Sequence, residues 1–150
     1  MPCTELRSVL QISDDKINCF NNSTVANEVG KRFAFNNTSN KSICRVRIDD
    51  CLITGPRKKC DFLFKVVELG KYYLVELKVV KINEGVEQII STFDIINEKI
   101  GAPPEAYSGI IVSSSVPRAA DLKFRKLLEK YYREKKLMIK KTQFRHIEKI

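Results

Sequence analysis

Apolar and polar positions follow two rhythms along this chain, and the sharpest change of rhythm lies in its middle. Residues 61–68 and 71–78 are rich in Phe, Val, Tyr and Leu around Leu69-Gly70, which predicts two strands joined by a two-residue turn. Residues 43–48 alternate and predict a strand before them, with turn material at Asp49-Asp50 and a loop at Thr54-Gly55-Pro56. Beyond Lys78 the strand fades through Val79-Val80. Val86, Ile89, Ile90, Phe93, Ile96 and Ile100 then keep a 3.6-residue period, with Asn83 placed as cap and Gly101 and Pro103-Pro104 as stop. Residues 108–113 predict a buried strand, parallel to its neighbour because a long helix separates the two. Ala120, Phe124, Leu127, Leu128 and Tyr131 mark the inner face of a helix from Arg118 to about Lys136, and residues 137–144 a last strand. Upstream, Leu6, Val9 and Leu10 predict a short helix. Val25, Val29 and Phe33, at i, i+4 and i+8 behind a Ser23 or Thr24 cap, predict another, with Glu28 on its flank.

This order gives an α/β fold. A three-strand meander, a crossover helix and further strands form one mixed central sheet with helices on its faces. The 150 residues make a single domain, its core spanning about residues 23–144. Hydrophobic residues at 43% and charged residues at 30% argue against disorder. No apolar run is long enough to cross a bilayer, and the first residues lack the pattern of a signal peptide, so a cytoplasmic protein without membrane contact is expected. The five cysteines agree with that place. They are odd in number and lack a CxxC, so they are expected to be free, mostly buried thiols.

Net charge is +9, and its distribution matters more than its size. The segment 118–150 holds twelve Lys or Arg against four Asp or Glu, so nearly all the excess lies in the last fifth of the chain. A phosphate backbone is a plausible partner for it, against the plainer reading of a solvated helix face. Lys123, Lys126 and Lys130 lie on the surface of that helix, and Arg57, Lys58 and Lys59 stand just before Asp61 as candidate phosphate clamps.

Candidate chemistry sits on the hairpin. With a two-residue turn, Glu68 pairs with Lys71, Leu63 with Glu76 and Asp61 with Lys78, so Asp61, Glu76 and Lys78 project from one face at one end. Two carboxylates and an ammonium converging there make a site for a divalent cation and a positioned water. Mg²⁺, or Mn²⁺ as its substitute, needs only one or two carboxylates because it keeps several waters and takes a substrate phosphate.

Asp61 before an apolar strand, and Glu76-Leu77-Lys78 closing the next, resemble the PD-(D/E)xK nuclease superfamily, whose fold is that of restriction endonucleases. ELKVVKINEGVEQII adds a glutamine, Gln88, where many members carry one on the helix after the ExK strand. Cys60 stands where the family's proline would be, and Thr92 where relatives with the glutamine often have a tyrosine. The resemblance implies that Asp61 and Glu76 bind the metal, that Lys78 positions or activates the attacking water, and that Gln88 and Glu28 assist, Glu28 as an additional acidic ligand. It implies a metal-dependent phosphodiester hydrolase, an endonuclease acting on DNA in preference to RNA. It further implies a homodimer; with no separate recognition domain visible in 150 residues, any specificity is expected from loops, from the basic C-terminal helix or from a partner protein. The alternatives are a ribonuclease of the same fold and an inactive module that only binds nucleic acid. His146, the one histidine, has no Ser or Cys set beside it and is read as a surface residue.

Overall fold

The computed structural model describes residues 2–78, 81–114 and 118–150, with side chains in the last segment from 122 onward. Val79 and Val80, where the sequence lets its strand fade, and the Ala120 side chain, expected in the core, lie outside the described residues.

The chain opens with α1 (Thr4–Leu10), a 3-10 turn and the two-residue strand β1 (Phe20–Asn21). Next come β2 (Val25–Glu28), β3 (Lys31–Asn36) and β4 (Ile43–Arg47), then the hairpin β5 (Phe62–Val66) and β6 (Lys71–Glu76). Helix α2 (Ile82–Ile100), strand β7 (Tyr107–Ser113), helix α3 (Arg118–Lys135) and strands β8 (Met138–Gln143) and β9 (Arg145–Lys149) complete it. Six strands form one mixed sheet in the order β1-β4-β5-β6-β7-β8. It is antiparallel through β6, then parallel across β6–β7 and β7–β8. The α/β class, the meander, the crossover helix and the parallel strand after it are as the apolar pattern predicts.

One face of this sheet carries the helices. Leu6 and Leu10 of α1, Val86, Ile89 and Phe93 of α2 and Phe124 of α3 pack on Val46, Leu63, Leu74 and Ile111. Gly109 on β7 lets α2 come close, since a Cβ there would lie 3.0 Å from Ile89 Cγ2 and 2.9 Å from Ile139 Cγ1. Helix α2 ends where the pattern placed its end, with Gly101 in the left-handed region at φ 67° and its N–H on the Asn97 carbonyl.

The expectation of helices on both faces is corrected, since no helix among the described residues packs on the other face. A second sheet, β2-β3-β9, lies over it, and Ala26, Phe33 and Phe35 meet Phe62, Phe64, Tyr73 and Val75 in a separate core. Rings of Phe33 and Phe35 each lie 5.2 Å from that of Phe64. The helix predicted behind Ser23 is therefore corrected to a hairpin. Glu28 pairs with Lys31 across Val29-Gly30, whose φ values of 43° and 78° are both left-handed, as in a tight hairpin turn. Covered on both sides, β5 is buried along its whole length.

The cysteine reading is also corrected. Cys3 is bonded to Cys44 and Cys19 to Cys51, leaving Cys60 as the free, buried thiol. Disulfides persist in oxidising surroundings, so the cysteines no longer argue for the cytoplasm. Among the described residues, no helix is long and apolar enough to cross a membrane.

Candidate active site

The hairpin register differs from the predicted one, for a local reason. Val66 pairs with Lys71, so the turn has four residues, 67–70. Ser42 takes up the turn: its carbonyl accepts from Val67 N–H at 2.9 Å, and its own N–H donates to the Glu68 carboxylate at 2.8 Å. Glu68 is thus withdrawn from pairing with Lys71. The shift is even, so every side chain keeps its face. Phe62 lies opposite Val75 and the Asp61 N–H bonds the Val75 carbonyl at 3.1 Å, which makes Glu76, and not Lys78, the residue across the hairpin from Asp61.

Asp61 is 2% exposed and Glu76 1%. Asp61 Oδ2 accepts the backbone N–H groups of Leu77 at 2.7 Å and Lys78 at 2.9 Å. The Lys78 N–H also reaches Glu76 Oε2 at 3.1 Å, so the two carboxylates share one donor. The Lys78 ammonium lies 3.3 Å from Asp61 Oδ1. Burial, the neighbouring charge of Asp61 and a hydrogen bond with it push the Glu76 carboxyl up to about 9. Its Oε1 is buried without a hydrogen-bond partner among the described residues. For Lys78, burial works downward but is outweighed by the hydrogen bond to Asp49 and the charges of Asp61 and Asp49, so its pKa is raised.

Support comes from beneath. Thr92 on α2 accepts the Cys60 N–H at 2.8 Å and donates to the Gln88 carbonyl at 2.8 Å, tying the residue before Asp61 to the helix. Burial drives the Cys60 thiol far up, and it packs inertly in the sheet. Gln88 lies one helical turn before Thr92, half-buried, its Oε1 without a partner among the described residues.

Not every expected residue arrives. Glu28 is on strand β2 instead of a helix, and its carboxylate is held by Arg47 at 2.8 Å, so it is not gathered with Asp61 and Glu76. Lys59 is no outward clamp. It is 8% exposed, with its ammonium turned in to the carbonyls of Gly55 and Arg57 and 3.7 Å from Asp49. Arg57 and Lys58 are exposed, Lys58 paired with Glu87, and Lys123, Lys126 and Lys130 are exposed on α3. His146 is on β9, half-buried, stacked 5.7 Å from Phe33 and 2.8 Å from Glu148.

Sequence reasoning passed over Asp49, reading it as turn material. Its Oδ2 accepts the Lys78 ammonium at 2.6 Å. Only the pairing of Arg47 with Phe62 reveals that a residue just past β4 ends up beside Asp61.

Among the described residues, no group of three or more His, Cys, Asp or Glu is gathered to hold a metal ion unaided. The donor set nevertheless fits a hard divalent cation that keeps most of its waters. Two buried carboxylates face each other, and one presents an oxygen, Glu76 Oε1, without a hydrogen-bond partner among the described residues. No protein-family model, no curated protein and no solved structure matches this chain.

Proposed function

We propose that the protein is a metal-dependent nuclease, a phosphodiester hydrolase acting on DNA in preference to RNA. The observation that carries the reading is the buried Asp61–Glu76 pair with its unsatisfied Oε1 and the Lys78 ammonium alongside. A buried acid pair in which one member is held protonated is a costly arrangement, and a cation between the two would offset that cost. Asp61 and Glu76 would hold Mg²⁺, or Mn²⁺ in its place. Bound there, the ion would supply an acidified water and charge compensation for the scissile phosphate. Lys78 would add positive charge where negative charge develops on the phosphate. Asp61, gripped by two backbone N–H groups, cannot swing away and sets the geometry. Thr92 keeps the start of β5 fixed against α2. Arg57, Lys58 and the α3 lysines would hold the phosphate chain outside the site.

The test is cleavage of matched DNA and RNA substrates, linear and closed, with Mg²⁺, Mn²⁺ or chelator. It is run with and without a thiol reductant, which covers a cytoplasmic as well as an oxidising setting. Cleavage is expected with either metal. Asp61→Ala is expected to lose cleavage by about 1000-fold or more while retaining nucleic-acid binding. A wild-type protein that binds nucleic acid but cuts none of these substrates would leave a binding module instead.

A further inference from the structure

The turn after β4 brings a third carboxylate to the ammonium that stands beside the acid pair. Asp49 accepts the Lys78 ammonium at 2.6 Å, a shorter contact than the 3.3 Å from that ammonium to Asp61. We propose that Asp49 is a positioning residue for Lys78, holding its ammonium beside the site when Asp61 is engaged by a cation. This rests on the nuclease reading.

Oxygen counting supports the assignment. Asp61 Oδ2 is taken by two backbone N–H groups, so Oδ1 is the oxygen left for a cation, and Oδ1 is also the one that faces Lys78. A cation on Oδ1 competes with Lys78 for it. Lysine has three donors on a flexible four-carbon stem and swings out to water when its last acceptor is lost. The bond to Asp49 prevents that. The turn is also held far more firmly than a solubilising acid would require. Leu52 and Ile53 N–H groups bond the Arg47 and Ile48 carbonyls at 3.1 and 3.0 Å, the Cys19–Cys51 disulfide anchors the turn, and the Lys16 ammonium reaches the Cys51 carbonyl at 2.8 Å. Lys59, buried, stands 3.7 Å behind the second Asp49 oxygen. Asp49 is thus set between two cations, one structural and one aimed at the site.

Three readouts decide it. In the wild type, the ammonium resonance of Lys78 in ¹⁵N-lysine-labelled protein is expected to stay shifted and slow to exchange when Mg²⁺ saturates the site. Collapse to a free-lysine signal on Mg²⁺ addition would overturn the proposal, and this arm needs no variant. In Asp49→Asn, kcat is expected to fall about 10- to 100-fold with KM nearly unchanged. Lys78→Ala is expected to cost at least as much and the double variant no more than Lys78→Ala alone, with partial rescue in Asp49→Glu. Additive losses would overturn it. Mn²⁺ affinity of Asp49→Asn by calorimetry is expected within about threefold of wild type, whereas a loss beyond about tenfold would make Asp49 a ligand instead. A wild-type protein that cuts nothing while the Lys78 signal behaves as expected removes the nuclease reading and leaves the Asp49–Lys78 couple standing.

Discussion

Glu76 is the residue whose chemistry departs furthest from its ordinary state, and the departure has a sign. In the unfolded chain its carboxyl titrates near 4.5, and in the folded chain near 9. Between those values the folded protein holds a proton that the unfolded one has released, so stability falls as pH rises through that window. Glu76→Gln is expected to flatten this slope and to be more stable than wild type at pH 8, by on the order of 1–3 kcal/mol, in urea denaturation at pH 6 and pH 8. Metal binding should release the same proton, so affinity should climb from pH 5 towards pH 9. Calorimetry in buffers of different ionisation enthalpy measures that release directly. A variant that gains stability as it loses cleavage is what a site held against its own folding would give. Asp61, Glu76 and Lys78 were legible in the sequence because strand alternation keeps a face under any even shift of register. The even slip of the hairpin moved Asp61 from Lys78 to Glu76 without moving any group off that face. Asp49 and Thr92 were not legible in this way. Their places depend on the pairing of β4 with β5 and on how α2 crosses the sheet, and neither is encoded in local pattern.

At the scale of elements, the two disulfides divide the labour of the N-terminal segment. Cys3–Cys44 fastens the start of α1 to β4, while Cys19–Cys51 reaches the turn that carries Asp49. They join residues 41 and 32 positions apart, loops for which a crosslink contributes about 3–4 kcal/mol. Replacing either pair by serine is expected to lower stability by about 2–4 kcal/mol in denaturant melts. Only the Cys19/Cys51 replacement should also lower kcat, since it alone loosens the Asp49 turn. An odd cysteine count concealed this arrangement, because pairing is a matter of distance in the fold. The hairpin β2–β3 escaped detection for a different reason. Val25, Val29 and Phe33 stand at even spacing, which satisfies a strand as well as a helix, and their fates diverge. Phe33 is core, Val25 is half-exposed, and Val29 is the turn tip at 69% exposure. The long helix α2 was legible because its apolar stripe, its length and its Gly101 stop all agree.

Viewed whole, the molecule is three layers, with helices on one face of the six-stranded sheet and three strands on the other. The third layer was the least legible part. Strand β9, Arg145–Lys149, alternates exposed with half-buried residues and lies past the predicted last strand, and only its parallel pairing with β3, His146 beside Phe33 and Glu148 beside Phe35, makes it part of a sheet. Charge was more legible than packing. The lysines at 123, 126 and 130 are exposed on α3, as expected of a helix that faces a polyanion or plain water. Salt dependence separates those cases. If they touch phosphates, changing all three to alanine should reduce the slope of log binding constant against log salt by up to about 3, with little change in kcat at saturating substrate. An unaltered slope would return α3 to being a solvated face.

The cysteine left over from the two bridges sits immediately before Asp61, wholly enclosed and bound through its N–H to Thr92. A thiol-alkylating reagent can reach it only while β5 has peeled from α2, so the labelling rate counts openings of the very strand that begins the acid pair. Any ion that lodges between those acids should slow that clock in proportion to its occupancy, giving a readout of ligation that requires neither a substrate nor a cut.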